Sequence, residues 1–230
     1  MDVRIVNTCN NNCLYCLEQS LREEKKYIDF KVIESILEKS EEKNLTFYWW
    51  NPLLHPDLLE IIHCAKKNNF ENIWILSNTW SISEEYLNIL IQSGVNNFWI
   101  YFYSFQKNIH DIYSGNNLEL TQLLKNITLI SQKNIFCKII IHVNNSNIDT
   151  LWRDIEILHS KFWISHFEFI NYLIEDRAKK YEKLLQYKIS QKADKIEMLF
   201  HSIKKLNLNV KFIRFNKEFF SNNTQFISQK

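Results

Sequence analysis

The chain has 230 residues, 46% hydrophobic and 14% aromatic, with a net charge of +2. That length bounds one main domain, and the apolar share excludes an intrinsically disordered chain. The near-neutral balance gives no basic field of the kind that makes nucleic acid a main partner. Glycine is the anomaly. Average usage of about 7% would place roughly 16 glycines in such a chain, and it has 2, beside 2 prolines, 27 asparagines and 31 isoleucines. An AT-rich genome accounts for a shift of that kind. Two glycines also exclude the GxxxxGKS/T and GxGxxG phosphate loops.

In chain order, Val3–Val6 reads as a short strand, and Asp29–Lys43 as a helix with apolar residues at Phe30, Ile33, Ile36 and Leu37. Leu45–Trp50 reads as a strand, and a helix opens at His55-Pro56 and runs to Lys67. Asn72–Leu76 is a strand, and Ser83 caps a helix that ends near Gly94. Asn97–Tyr103 is a strand and Leu118–Gln132 a helix; Ile135–Val143 is a strand and Ile148–Ser160 a helix. His166–Ile170 is a strand, Asp176–Leu206 is mostly helix, and Asn209–Phe215 is the last strand. Strands alternating with helices predict βα units and a parallel sheet. Six or seven units suit a partial (β/α)6 barrel over residues 1–215, followed by a polar, fraying tail at 216–230. No charged segment followed by an apolar run opens the chain, and no run of about 18 apolar residues occurs. With an odd 5 cysteines, this predicts a reducing, cytoplasmic setting.

The chemistry is concentrated in TCNNNCLYC, where Cys9, Cys13 and Cys16 stand at C-x3-C-x2-C spacing. Three thiolates so close, on a loop after a strand, can grip one soft metal centre. A structural zinc would want a fourth ligand, for which His55 and His63 are the candidates. A cubane iron–sulfur cluster with three protein thiolates would leave one iron open. Loops after strand C-termini are where barrels of this kind keep their active sites. Cys64 and Cys137 read as lone buried thiols.

This pattern, with Tyr15 just before the last cysteine, resembles the radical SAM superfamily. The resemblance implies that Cys9, Cys13 and Cys16 hold a [4Fe-4S] cluster and that its open iron chelates S-adenosylmethionine. It further implies reductive cleavage to a 5′-deoxyadenosyl radical, which abstracts hydrogen from a peptide or small-metabolite substrate. An external one-electron donor of flavodoxin or ferredoxin type is then expected. The similarity continues through FYWWNPLLHPDLLEII, where the family has a GGEP-like turn for the methionine amino group; Trp49 and Trp50 replace the glycines and Asn51 the glutamate, with Pro52 following. ILSNTW places Ser77, Asn78 and Thr79 at the end of the third strand. YSFQKNIHDIYSG places Ser104 at the end of the fourth, with His110 and Asp111 organising the loop. KIIIHVNNSNIDTL places His142 late in the fifth, with Asn147 opening the next helix. Tyr15, Trp50, Asn51, Pro52, Ser77, Asn78, Ser104 and His142 are thus the expected cofactor contacts, with Tyr15 against the adenine.

Two rival readings differ at one turn. Real indoles at 49 and 50 would crowd the methionine moiety, since glycine is what permits close backbone approach, and the chain would then be a binding or scaffold protein. Alternatively, since AT bias does not supply tryptophan, UGA codons read as glycine would leave GGNP at this turn; Trp80 is a third tryptophan where the family tolerates glycine.

Overall fold

The computed structural model describes residues 1–17, 27–79, 82–115, 120–133, 135–175, 177–221 and 223–227. Its strands are β1 (Asp2–Arg4), β2 (Asn44–Tyr48), β3 (Asn72–Ser77), β4 (Asn97–Tyr101), β5 (Phe136–Val143), β6 (His166–Asn171) and β7 (Asn209–Ile213). The helices between them are α1 (Phe30–Glu38), α2 (Leu58–Lys67), α3 (Glu84–Ser93), α4 (Lys107–Ser114), α5 (Leu120–Gln132), α6 (Leu151–Phe162), α7 (Arg177–Lys180), α8 (Glu182–Leu185) and α9 (Ala193–Lys205), with α10 (Lys217–Phe220) after β7. The strands form one open sheet in sequence order, β1 to β7. The pairings β1–β2, β2–β3, β3–β4, β5–β6 and β6–β7 are all parallel. This is the α/β, partial-barrel architecture that the strand–helix alternation predicts. No helix among the described residues is long and apolar enough to cross a membrane.

The chain divides into two compact units. The first holds Met1–Asn11, Glu18–Ile100 and Thr121–Cys137. Leu45, Phe47, Ile73, Ile75, Phe98 and Ile100 are fully buried there, alternate positions that put one face of β2, β3 and β4 in the core. Two of its helices, α1 and α3, start where side chains cap them. The Asp29 carboxylate accepts from the Lys31 N–H at 2.8 Å before α1, and the Ser83 hydroxyl accepts from the Tyr86 N–H at 3.1 Å before α3. α3 ends on Gly94 at φ 120°, a conformation open to glycine.

The second unit holds Asn12–Leu17, Tyr101–Leu120 and Lys138–Lys230. Phe167, Phe169, Phe200 and Phe212 build its aromatic core; Phe169 and Phe212 stack with centroids 5.0 Å apart. Lys138 of β5 meets Glu168 of β6 at 2.7 Å, a partly buried ion pair between neighbouring strands.

Three expectations change. The segment after the fourth strand is a helix, α4, in place of a loop, because Ile109 and Tyr113 recur four apart and both are buried. The long helix expected over Asp176–Leu206 is broken into α7, α8 and α9. Extended backbone at Gln186 and Lys188 separates α8 from α9; Leu185 and Ala178 anchor α7 and α8 in a cluster with Tyr103 and Tyr113. The tail does not fray over 216–220: the Asn216 side chain caps α10 at Phe219 N–H, and Phe219 and Phe220 are buried against Phe200 and Phe212.

Candidate cofactor site

The cysteine-bearing segment follows β1 directly. None of the five cysteines is in a disulfide, and Cys9, Cys13 and Cys16 are all partly exposed. Cys9 Sγ accepts from the Asn11 N–H at 3.4 Å, and Cys13 Sγ lies 3.3 Å from the Tyr103 hydroxyl. Free, partly exposed sulfurs with polar neighbours at Cys9 and Cys13 suit a thiolate-held iron–sulfur centre. Among the described residues no three His, Cys, Asp or Glu side chains are drawn together as a metal site. Cys64 and Cys137 are buried, and burial pushes both thiols up, Cys137 to about 12. They behave as small hydrophobes.

In the first unit a polar network joins the ends of β2 and β3. Asn51 is fully buried. Its Oδ1 accepts from the Ser77 hydroxyl at 2.8 Å, and its Nδ2 donates to Asn10 Oδ1 at 3.0 Å. Asn78 Nδ2 donates to the same Asn10 oxygen at 2.9 Å. The Ser77 hydroxyl also accepts from the Thr79 N–H at 2.8 Å. Three expected contact residues, Asn51, Ser77 and Asn78, therefore share one network, and its hub is Asn10, a residue between Cys9 and Cys13 that sequence reading did not single out. The signal was present as a buried-amide need: Asn51 in place of a glutamate brings an NH2 that requires an acceptor. Trp49 and Trp50, just before, sit at φ 64° and 50°. Arg4 lies over both rings, 5.0 and 5.8 Å from the centroids. Trp50 Nε1 is buried with no partner among the described residues. Pro52 is buried and opens a short 3-10 turn ending at Leu54. Trp80 lies outside the described residues.

In the second unit Tyr15 packs with Leu14, Tyr103, Ile109 and Tyr113. Its ring stacks on His142 at 4.1 Å. Burial, then the neighbouring Tyr103, holds the Tyr15 hydroxyl well above its usual range. Burial, then Arg214, pushes His142 down to about 3, so its ring is neutral at ordinary pH. Asn147 Nδ2 donates to the His142 carbonyl at 2.8 Å and holds the end of β5. Ser104 is fully buried. Its hydroxyl accepts from the Gln106 N–H at 3.1 Å and bonds to the Asp154 carboxyl, which burial raises to about 7. Tyr15, His142 and Ser104 thus belong to one unit, with Ser104 engaged in a turn and helix contact.

The segment carrying Cys13 is pinned from α4. Asn12 N–H donates to the Ser114 carbonyl at 2.9 Å and Leu14 N–H to the Tyr113 carbonyl at 3.2 Å. Gly115 makes this approach possible: a Cβ there would stand 1.8 Å from the Asn12 carbonyl oxygen. His110 and Asp111 lie on α4; Asp111 pairs with Lys107 in the preceding turn. His55, a zinc-ligand candidate, has both ring nitrogens engaged, by the Ile28 carbonyl and the Asp57 N–H, each at 3.0 Å. His63 is exposed on α2.

An open parallel α/β sheet with three thiols in the first strand-end loop defines a class of fold: a partial barrel whose strand ends carry cofactor chemistry. The model for the radical SAM superfamily matches residues 3–158, and the chain belongs to that superfamily. No curated protein matches it by sequence. Among solved structures it is similar to Streptococcus suis SuiB bound to its precursor peptide SuiA, with TM-score 0.74, 15% identity, 99% of this chain and 51% of that chain covered. It is also similar to anSMEcpe with bound AdoMet, with TM-score 0.67, 18% identity, 91% of this chain and 61% of that one. A third is HydG, a maturase of the [FeFe]-hydrogenase, with TM-score 0.66, 12% identity, 98% of this chain and 54% of that one. The chain spans about half to three fifths of the length of these relatives, and at such identity the likeness is one of fold.

Proposed function

We propose that this protein is a radical SAM enzyme acting on a peptide. The observation that carries the reading is the C-x3-C-x2-C segment on the first strand-end loop of a chain of this superfamily. When bound, a [4Fe-4S] cluster and S-adenosylmethionine supply a one-electron reductive cleavage to methionine and a 5′-deoxyadenosyl radical that abstracts substrate hydrogen. Cys9, Cys13 and Cys16 would hold the cluster as its three thiolate ligands. The remaining roles fall to the chain's own polar and aromatic groups. Asn51, held by Ser77 and Asn10, would present an amide oxygen to the cofactor's amino group; Trp50 and Pro52 shape the turn around it. Asn78 would reach the cofactor's polar edge. Tyr15 offers its ring to the adenine, backed by the neutral face of His142. Ser104 would act through its turn, as a positioning group.

The peptide assignment is supported by two neighbours of like fold, SuiB with its precursor peptide and anSMEcpe with bound AdoMet and a peptide. The electron would come from an external donor of flavodoxin or ferredoxin type, in a cytoplasmic setting. A zinc role is disfavoured by the engaged ring of His55.

Anaerobic reconstitution with iron and sulfide, followed by electron paramagnetic resonance of the reduced protein, tests the reading. The expected result is a [4Fe-4S] signal that shifts when S-adenosylmethionine is added and that is absent from Cys9→Ala, Cys13→Ala and Cys16→Ala. A signal indifferent to S-adenosylmethionine, or zinc in the isolated protein, would overturn it.

A further inference from the structure

The six described tryptophans fall into two backbone classes. Trp49, Trp50 and Trp163 lie in the left-handed region, at φ 64°, 50° and 55°. Trp74 and Trp99 lie inside β3 and β4, and Trp152 inside α6. The second class sits within regular elements and packs against rings or a cation, although the Trp74 Nε1 is buried with no partner among the described residues. Trp74 and Trp99 pack edge to face at 4.9 Å, Trp74 also meets Phe136 at 5.5 Å, and Arg153 covers Trp152 at 4.7 Å. The first class is set apart by its backbone: Trp49 also meets Tyr48 at 5.6 Å and Arg4, yet stands at positive φ. Left-handed backbone is uncommon for any residue with a Cβ, and for a bulky one it is an outlier. Trp163 terminates α6 as a left-handed cap, its N–H bonding to the His159 and Leu158 carbonyls. That is the position where helices prefer glycine. Its side chain is 67% exposed, so no packing offsets the strain. At 49 and 50, the Arg4 contact with two partly buried rings is a weaker gain than two consecutive left-handed backbones cost.

Both glycines of the chain, Gly94 and Gly115, are themselves at positive φ. Among the described residues the others at positive φ are Asn69, Thr79, Asn207, Arg214 and Ser221. Asparagine tolerates this region, and the arginine codon AGA and serine codon AGT each lie one base from a glycine codon. Drift toward AT-rich codons does not supply tryptophan, whose standard codon is TGG. TGA, in contrast, is one base from the glycine codon GGA.

We infer that in the source of this protein the codons for positions 49, 50 and 163 are UGA read as glycine, so that the natural chain carries glycine at those three positions and tryptophan at 74, 99 and 152. The inference stands whether or not the enzyme reading holds. Its consequence for that reading is a methionine turn of Gly-Gly-Asn-Pro with no indole in it.

The test reads the coding DNA and the intact mass of the protein isolated from its source. TGA at 49, 50 and 163 with TGG at 74, 99 and 152 is expected, with a mass short by three indolylmethyl groups, or by four where the codon at 80 is also TGA. TGG at 49, 50 or 163, TGA at any of the strand or helix positions, or a mass carrying all seven tryptophans overturns the inference. A second readout bears on the geometry alone. In the recombinant full-length chain, Trp163→Gly should raise the melting temperature by several degrees and Trp163→Ala should not; an equal effect of the two would remove the left-handed cap on which the assignment rests.

Discussion

At the scale of single residues, the account turns on Asn10 and Asp154. Asn10 Oδ1 accepts from both Asn51 and Asn78. Removing that acceptor leaves two buried or half-buried amides without it, at a cost of about 1–3 kcal/mol for a buried group. Asn10→Ala should therefore lower unfolding free energy by about 2 kcal/mol in a denaturant titration, and Asn10→Asp, which keeps the acceptor, should recover most of it. Asp154 gives a pH signature. Burial raises its folded carboxyl to about 7, above its unfolded value, so the folded state binds a proton that the unfolded state has released. The sign follows: stability from this group is full at low pH and is lost as pH rises toward 7. Unfolding midpoints measured from pH 4 to 8 should fall over that window, and Asp154→Asn should flatten the fall while preserving an acceptor for Ser104. An unchanged slope would mean Asp154 is ionised in the folded protein.

At the scale of elements, the α4–Gly115 corner fixes the cysteine segment. A methyl group at 115 would stand 1.8 Å from the Asn12 carbonyl, so Gly115→Ala must push Asn12 away and break the backbone bonds from Asn12 and Leu14 to α4. Reconstituted Gly115→Ala should hold well under half the iron and sulfide of the unchanged chain while its far-ultraviolet circular dichroism stays similar. Most strands and helices were legible from apolar periodicity and caps. Asp29 and Ser83 start α1 and α3 as their residue types predict, and the strands sit within a few residues of their expected ranges. What was not legible has physical reasons. α4 is a short helix whose two buried anchors, Ile109 and Tyr113, stand among polar residues, so its stripe is too thin to read. The break between α8 and α9 depends on Leu185 finding a distant core, which no local pattern states. At the site, the cysteine spacing and the strand-end Asn51, Ser77 and Asn78 were legible, whereas Asn10 was not, because its importance comes from two partners 41 and 68 residues away.

At the scale of the whole molecule, the second unit is closed by residues that composition alone would assign to a loose tail. Phe219 is fully buried among Phe200, Phe212, Phe215 and Phe220. Phe219→Ala should cost about 3–5 kcal/mol by removing a large buried ring and leaving a cavity, read as a lower chemical-denaturation midpoint; a change under about 1 kcal/mol would mean that α10 is not docked. The central claim is that this fold holds a cluster on Cys9, Cys13 and Cys16 and uses it on S-adenosylmethionine. The most direct measurement is 5′-deoxyadenosine production by the anaerobically reconstituted, reduced protein made with glycine at 49, 50 and 163. 5′-Deoxyadenosine and methionine are expected in equal amounts, and both are lost in Cys13→Ala. A protein with a full cluster and no 5′-deoxyadenosine would contradict it.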